Sequence, residues 1–301
     1  MKYAYFKSPL GNFGDDLNPW LWTKLFGEED INDDVFFLGI GSILFPESPM
    51  IKSMGNSRKI IFGTGIRPSK EFKKLEIDST WDVRFLRGPL SAMSQNNAYE
   101  YIADAAYAFR QLQESPGYIS TTKKYKVSLI PFFRSVDYFD WKGICEQLGY
   151  HYISPFSENG VEFTLSEIAA SEMIITEAMH GAILADILRV PWHRYILSTP
   201  FTEGPVVSEF KWMDWLFSVN LGLVNTSVIK LYRKELLNRA AYRLTSGVIN
   251  SEMLIKRNIR KDILNVLSQA KDFYLSSDQT INRIDERIFE QVQKLQQERR
   301  L

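Results

Sequence analysis

Short β-rich runs alternate with helical patterns along most of this chain, and this alternation restricts the fold more than any other feature. Strands that alternate with helices form parallel sheets, because each crossover helix returns the chain to the same end of the sheet. The predicted strands are YAYF, VFFLGIGSIL, KIIFGTGI and VRFLRG in the first half, and YKVSLIPFF, YHYISPF, MIIT and WHRYIL in the second. The sequence therefore predicts an α/β protein.

A polar segment separates the two sets of predicted strands. Residues Gln113 to Lys126 carry Pro, Gly, Ser and Thr where the apolar periodicity stops, which is typical of a linker. We predict an N-terminal domain over residues 1–118 and a second domain over residues 119–226. Residues 227–301 are rich in Lys, Arg, Glu and Gln and predict two or three amphipathic helices. Packing across both domains, pairing with a second copy of the chain and contact with a membrane surface are three open alternatives for these helices.

Charge and cysteine content exclude several classes of protein. Lys plus Arg and Asp plus Glu are equal at 36 each, so no net field attracts nucleic acid or an anionic membrane. One cysteine excludes an internal disulfide, and with three histidines it leaves too few ligands for a structural zinc site, so we expect no metal. We find no signal-peptide core and no run approaching the roughly 20 apolar residues of a membrane span. We expect a cytoplasmic protein.

The first predicted strand is followed by GNFGDD, residues 11–16, which brings two adjacent carboxylates to a strand end. Ligands of open parallel sheets bind where loops leave the carboxyl ends of the strands. Asn18 is the expected N-cap and Pro19 the expected first residue of the following helix. A single acidic residue is enough for a favourable interaction with the dipole of the helix. Since neighbouring side chains point apart in extended backbone, we expect only one of Asp15 and Asp16 to face a ligand.

Three more glycine-containing turns, GIGS, GTGIRP and LRGP, follow predicted strands of the first half. Glycines allow backbone N–H groups to approach a ligand closely. None of these turns has the spacing of a nucleotide fingerprint, so tight turns without a ligand are an alternative interpretation. The further candidate ligand-binding residues of this half are Asn12, Gly14, Gly63, Thr64, Gly65, Arg67 and Arg87.

Two turns of the second half carry candidate residues for binding an anion. In TEAMHGAIL a strand ends, a turn carries an acid and a histidine, and an apolar helix begins, and a helix N-terminus favours anions. In PFFRS an arginine follows a strand and offers two parallel hydrogen bonds to a carboxylate or phosphate. A satisfied structural histidine and a surface arginine are the alternatives. The candidates are Arg134, Ser135, Glu177, His180 and Gly181.

Five segments in this order resemble the polysaccharide pyruvyltransferase family, especially its bacterial exopolysaccharide ketalases: NFGDDLNPWLW, FGTGIR, LRGPLSA, IPFFRSVD and TEAMHGAILADILRVPW. The resemblance implies two Rossmann-like domains in a GT-B-like arrangement, with a cleft between them. It implies phosphoenolpyruvate as the donor and no cofactor. The acceptor that it implies is a hexose of a bacterial surface polysaccharide or of its lipid-linked precursor, at the inner membrane face.

The resemblance also implies roles for individual residues. His180 matches the His-Gly motif beside the donor and is the expected acid, and an aspartate of GNFGDD is the expected base. Arg134 and Arg87 are expected to hold the donor. Two positions depart from many relatives, because Ala178 stands where they carry Arg and Phe132 where they carry His.

Two other functions remain open on the sequence. A nucleotide-sugar glycosyltransferase of the same architecture would also use a cleft, a basic phosphate site and an acidic base, since a fold does not fix the chemistry. A non-catalytic scaffold of a polysaccharide assembly complex would use the helical C-terminal extension as its interaction element.

Overall fold

A computed structural model describes residues 1–69, 73–230 and 251–299. Within these ranges two parallel sheets are present, so the α/β prediction is confirmed. The first sheet follows chain order: β1 (Lys2–Tyr3), β2 (Val35–Leu38), β3 (Arg58–Phe62) and β4 (Trp81–Phe85). The second has the order β6-β5-β7-β8-β9, with β5 (Ser128–Ile130), β6 (His151–Tyr152), β7 (Ile174–Thr176), β8 (Trp192–Ile196) and β9 (Ser227–Val228).

Helices connect the strands and cover both sheets. Their bounds are α1 (Phe13–Phe26), α2 (Pro49–Ser53), α3 (Pro89–Met93), α4 (Ser115–Ile119), α5 (Trp141–Leu148), α6 (Val161–Ala169), α7 (Met179–Ile187), α8 (Thr199–Thr202), α9 (Pro205–Ser218), α10 (Ser251–Ser268) and α11 (Asp278–Glu298). Short 3-10 helices span Ala105–Gln111 and Phe133–Tyr138. The predicted linker, residues 113–126, contains α4 and is therefore partly helical.

Helix α1 begins earlier than the sequence predicts. Asn12 is its N-cap, with extended backbone and a side chain that accepts a hydrogen bond from the Gly14 amide. Pro19, the expected first residue, lies inside the helix. A proline leaves one helical carbonyl without its N–H donor. Here that carbonyl belongs to Asp15, and the side chain of Asn18 donates to it at 2.9 Å, so the helix continues through the proline.

One apolar core extends from the first sheet into the second half of the chain. It contains Phe62 of β3, Leu165 of α6 and Trp215 of α9. Helix α9 lies between β8 and β9 of the second sheet in the chain but packs against α3 of the first half. Strand β9 lies just beyond residue 226 and pairs with β8. The second sheet therefore extends into the segment that the sequence assigned to the helical extension.

The C-terminal helices pack on both halves. On α10, Ile263 and Leu267 are fully buried in a cluster with Trp141 and Tyr195 of the second half. Helix α11 buries an apolar stripe that includes Ile288 against the first half. This arrangement corresponds to the first of the three alternatives for the tail. Residues 231–250, which the helix prediction includes, lie outside the described residues, and none of the described helices is both long and apolar enough to cross a bilayer.

The carboxyl ends of the two sheets face each other. The amide of Phe13, after β1, donates to the carbonyl of Pro155, after β6, at 3.1 Å. The hydroxyl of Ser157 donates to the carboxylate of Asp16 across the same junction. Because ligands of parallel sheets bind at these ends, the junction is the place where a site is expected.

Candidate functional site

A cleft of about 470 Å³ lies at this junction. Loops after β1, β2 and β3 line one side, and loops after β5, β6 and β7 line the other together with α8, α9 and the turn between them. Small-molecule sites have volumes of about 300–1,000 Å³. The polar residues of the lining are Asn12, Asp15, Ser42, Ser48, Arg67, Arg134, His180, Thr202, Glu203 and Lys211.

The two adjacent acids of the first turn have different roles. Asp15 lines the cleft, and its carboxylate accepts a hydrogen bond from the Asn12 side chain at 2.7 Å. Asp16 accepts hydrogen bonds from the Asn12 amide and the Ser157 hydroxyl instead. The two side chains diverge because both lie in the first turn of α1. Asp15 is therefore available to a ligand, while Asp16 connects the two halves.

The environment of Asp15 changes its acidity. Burial raises the pKa of Asp15 from its usual range to about 7, and the charges of Asp16 and Glu203 act in the same direction. Lys211 and the hydrogen bond from Asn12 oppose this shift of the pKa. A carboxyl group with such a pKa is about half protonated at neutral pH. Asp15 is thus able to donate a proton as well as to accept one.

His180 lies in the first turn of α7 and contacts the backbone of Gly14. Its Nε2 atom is buried and has no hydrogen-bond partner among the described residues. Burial lowers the pKa of His180 to about 3, and the positive charges of Lys211 and Arg87 contribute. The ring is therefore neutral at pH 7. The protein around the ring disfavours the charged form, which the expected role of His180 as an acid requires.

Replacing Gly14 with Ala is expected to lower turnover roughly 10²-fold, since small displacements of catalytic groups carry costs of this size. A Cβ atom at this position would lie 2.3 Å from Nδ1 of His180, so the ring has to move. Steady-state kinetics on the folded variant measure the effect. Gly117→Ala is the matched control, since a Cβ atom there meets nothing within 4 Å. Equal turnover in the two variants would show that the position of the His180 ring does not matter.

Two cations reach the cleft from the second half of the chain. Arg134 is exposed, and its guanidinium donates to the carbonyl of Thr202 at 3.1 Å. The ammonium of Lys211 donates to both carboxylate oxygens of Glu203 at 3.0 Å. Arg134 and His180 line the same cleft. Sequence reasoning missed Lys211, whose only signal is a cation between the apolar positions of SEFKWMDWLF in α9.

Arg87 does not fit the predicted role of a donor-binding residue. Its side chain is fully buried, does not line the cleft, and pairs with the equally buried Asp214 of α9 at 3.0 Å. Its Nη1 donates to the hydroxyl of Ser42, which does line the cleft. The backbone of α9 lies directly against Gly88, where a Cβ atom would meet the Asp214 carbonyl at 1.9 Å. Arg87 therefore connects α9 to the first sheet, and it affects the site through its charge and its hydrogen bond to Ser42.

Glu177 is also not a ligand-binding residue. Its carboxylate is buried and accepts hydrogen bonds from the amides of Leu197, Ser198 and Thr199 and from the Ser198 hydroxyl. Burial raises the pKa of Glu177, and these hydrogen bonds oppose the shift. All of these hydrogen bonds come from the segment that follows β8. Glu177 thus positions α8, whose last residue Thr202 lines the cleft.

The remaining candidates lie outside the lining of the cleft and serve packing. The hydroxyl of Ser135 donates to the carbonyl of Phe132 at 2.7 Å, which closes a turn. The hydroxyl of Thr64 donates to the carbonyl of Gly41 at 2.9 Å. Close contacts leave no room for a Cβ atom at three glycines, Gly63 beside Phe85, Gly65 beside Arg87 and Gly181 beside Thr176.

The predicted residues that line the cleft are Asn12, Asp15, Arg67, Arg134 and His180, with Gly14 directly beneath the His180 ring. The cleft thus combines an acid, a neutral imidazole and, on the side formed by the second half of the chain, two cations. Such a set can bind an anionic small molecule and move protons to and from it.

Comparisons with known proteins agree with the family resemblance. The model of the polysaccharide pyruvyl transferase family matches residues 3–196. The succinoglycan biosynthesis protein ExoV of Rhizobium meliloti (strain 1021) is 36% identical over 221 residues, which are 71% of this chain and 64% of that protein. This chain therefore matches less than two thirds of the length of that relative.

Two solved structures have low similarity scores. A functionally uncharacterised protein from Klebsiella pneumoniae matches 68% of this chain and 86% of its own, with a TM-score of 0.42 and 17% identity. A variant of the wall teichoic acid polymerase TagF soaked with CDPG matches 98% of this chain and 88% of its own, with a TM-score of 0.35 and 9% identity. The family assignment rests on the sequence matches: they cover well over half of the chain, which belongs to the polysaccharide pyruvyl transferase family.

Proposed function

We propose that this protein transfers a pyruvate ketal from phosphoenolpyruvate to a hexose of a bacterial surface polysaccharide or of its lipid-linked precursor. The observation that carries the proposal is the cleft in which Asp15 and His180 lie together with two cations. Membership of the family and similarity to a succinoglycan biosynthesis protein support this substrate class. The reaction takes place in the cytoplasm under this proposal, where phosphoenolpyruvate is made.

The donor binds on the side of the cleft that the second half forms. Phosphoenolpyruvate carries a phosphate and a carboxylate, and Arg134 and Lys211 supply positive charge on this side. The N-terminus of α7 opens onto the cleft as well, through Ala178, Met179 and His180, and its dipole favours an anion. Lys211 provides a charge to the same cleft that Ala178 lines, and Ala178 is the position at which many relatives carry Arg.

The reaction forms two C–O bonds at C2 of the donor and breaks one. A proton added to the methylene carbon makes the methyl group, and the first acceptor hydroxyl adds to C2 as it loses its proton. The bond from C2 to the phosphate oxygen then breaks, and the second hydroxyl adds to C2. Of the two hydroxyl protons released, one replaces the proton given to carbon and the other leaves with phosphate.

Asp15 and His180 divide the proton transfers between them. Two groups whose pKa values are moved in opposite directions form an acid and base pair. Asp15, with a raised pKa, gives the proton to the methylene carbon, and the neutral ring of His180 takes the proton of the first hydroxyl. An anionic donor raises the pKa of Asp15 further, which keeps it protonated, and it opposes the lowering of the His180 pKa, which makes the ring a stronger base. The resemblance implied these two roles in the opposite order.

The value of kcat/KM is expected to fall about tenfold for each pH unit above roughly pH 7, because the free enzyme then loses the proton of Asp15. The sign follows from the raised pKa, since the protonated and active form dominates below about 7. Steady-state rates between pH 6 and pH 9 measure the profile. The residual activity of Asp15→Asn serves as the control, and it is expected not to fall above pH 7. A wild-type profile that stays flat to pH 9 would remove Asp15 from the role of acid.

Replacing Arg134 with Lys is expected to raise the KM for phosphoenolpyruvate about tenfold with a smaller change in kcat. The substitution keeps the charge but removes the planar fork that forms two parallel hydrogen bonds to a carboxylate or phosphate. Arg287→Lys on α11 is the matched control, because Arg287 pairs with Glu100 outside the cleft. An unchanged KM for the donor in the Arg134 variant would place the donor elsewhere.

Ligand-dependent thermal stability tests the proposed donor directly. A ligand that binds the folded protein raises its Tm in proportion to the logarithm of its concentration over its Kd. We expect stabilisation by phosphoenolpyruvate and none by UDP-glucose or GDP-mannose. Stabilisation by a nucleotide sugar alone would support the glycosyltransferase alternative, and stabilisation by none of the three ligands would support a non-catalytic scaffold.

A further inference from the structure

The side of the cleft formed by the first half differs in chemistry from the donor side. It carries Phe6, Phe45 and Met50, and Phe6 is 42% exposed. Asn12 and Ser42 lie on the same side and add an amide and a hydroxyl. An aromatic wall with a few hydrogen-bonding groups suits an uncharged polar ligand with apolar faces better than a small dianion.

Arg67 extends this wall. Its guanidinium lies 5.2 Å from the centre of the Phe45 ring, within the range of a cation–π contact. Among the described residues, no carboxylate or carbonyl group accepts a hydrogen bond from this guanidinium, whereas Arg134 and Lys211 each have a partner. The five N–H donors of Arg67 are thus available at the surface of the cleft.

The cleft is larger than the donor requires. Phosphoenolpyruvate has about ten non-hydrogen atoms, and a volume of about 470 Å³ falls in the range of sites for drug-sized ligands. A second ligand of similar size can therefore lie beside it. Asp15 and His180 come from different halves of the chain and line the same cleft, so a ligand on the first-half wall has access to both.

We infer that the cation–π pair of Phe45 and Arg67 is the binding subsite for the hexopyranose ring of the acceptor. The inference rests on the proposed function and adds the residues that recognise the sugar. A pyranose presents C–H groups on its faces, which pack on an aromatic ring, and hydroxyls at its rim, which accept hydrogen bonds from a guanidinium. Asn12 and Ser42 bind further hydroxyls from the same side of the cleft.

Two substitutions separate the aromatic and the hydrogen-bonding contributions. Phe45→Leu keeps an apolar side chain but removes the ring, and Arg67→Lys keeps the charge but removes the fork. Each is expected to raise the acceptor KM about tenfold while the KM for phosphoenolpyruvate stays within about twofold. Phe45→Tyr is expected to restore acceptor binding. The matched control is Phe289→Leu on α11, where Phe289 is 48% exposed and lies outside the cleft lining.

Binding of a simple sugar tests the subsite without any turnover. Saturation-transfer NMR on the full chain, with methyl β-D-glucopyranoside and methyl β-D-galactopyranoside as probes, is expected to show binding of at least one probe in wild type and in Phe289→Leu. The signal is expected to be lost in Phe45→Leu. If the protein transfers no pyruvate but shows this pattern of binding, the proposed function fails and the sugar subsite stands.

Other outcomes overturn the subsite. Pyruvyl transfer with an unchanged acceptor KM in both cleft variants would do so while the proposed function stands. A rise in the donor KM alone in Arg67→Lys would assign Arg67 to phosphoenolpyruvate instead. Binding of neither probe to wild type would also contradict a hexopyranose site at this wall.

Discussion

Replacing His180 with Gln is expected to lower turnover roughly 10²–10⁴-fold, which is the usual contribution of a positioned proton-transfer group. Glutamine is similar in size and forms hydrogen bonds, but its amide does not accept a proton at neutral pH. Because His180 faces Gly14 and lines the cleft, its loss removes the base and leaves the cations of the donor side in place. The KM for phosphoenolpyruvate is therefore expected to change much less than kcat.

The matched control for this substitution is His151→Gln. His151 stacks on Tyr125 and pairs with Glu167 in the second half, and it does not line the cleft. Its substitution is expected to leave turnover within about twofold of wild type. If the two histidine variants had equal activity, His180 would not take part in proton transfer, and the pairing of Asp15 with His180 would be wrong.

Replacing Asp214 with Ala is expected to lower the free energy of unfolding by about 3–5 kcal/mol, because the change leaves a buried arginine without its counter-charge. Asp214 and Arg87 are both fully buried, and Asp214 also accepts hydrogen bonds from the amide and the hydroxyl of Ser91. These contacts connect α9 to the first half of the chain. The expected readout is a large drop in Tm or in the midpoint of urea denaturation.

An exposed ion pair gives the scale for comparison. Glu100→Ala removes the partner of Arg287, and the glutamate side chain of that pair is 80% exposed. Exposed pairs contribute at most about 1 kcal/mol, so this variant is expected to keep nearly the stability of wild type. If Asp214→Ala were equally stable, the buried pair of Arg87 and Asp214 would not be what connects α9 to the first half of the chain.

The fold class was predictable because periodicity is a local property. The predicted strands KIIF and MIIT each contain three consecutive apolar residues, as strands buried on both faces do, and they correspond to β3 and β7. The start of α1 was not predictable from Pro19. The side chain of Asn18 donates a hydrogen bond to the carbonyl that the proline leaves without a donor, so the helix can begin before the proline. That compensation depends on side-chain geometry, which spacing alone does not report.

The cleft was predictable in position and partly in composition. Turns at strand ends predicted Asp15, Arg134 and His180, which line it. The partners of buried polar groups come from remote parts of the chain and were not predictable. Arg87 pairs with Asp214, which lies 127 residues away along the sequence. The carboxylate of Glu177 accepts its hydrogen bonds from the segment after β8.

Lys211 is a residue of the cleft that the sequence did not predict. It lies on α9, between β8 and β9 in the chain, and no turn motif marks it. Only the packing of α9 against α3 brings the lysine to the cleft. From sequence alone, a lysine among the apolar positions of a helix is interpreted as a solvated side chain, because the surfaces that pack against the helix are not known.

Mass spectrometry of the acceptor after incubation with the full chain and phosphoenolpyruvate tests the central claim most directly. Oligosaccharides from an acidic bacterial exopolysaccharide, stripped of their ketals by mild acid, serve as acceptors. The proposed reaction predicts that the oligosaccharide gains the mass of one pyruvic acid less one water, together with one equivalent of inorganic phosphate, and that His180→Gln shows neither within the same time. A gain of one hexose from a nucleotide sugar, or no gain with any acceptor that the protein binds, would contradict it.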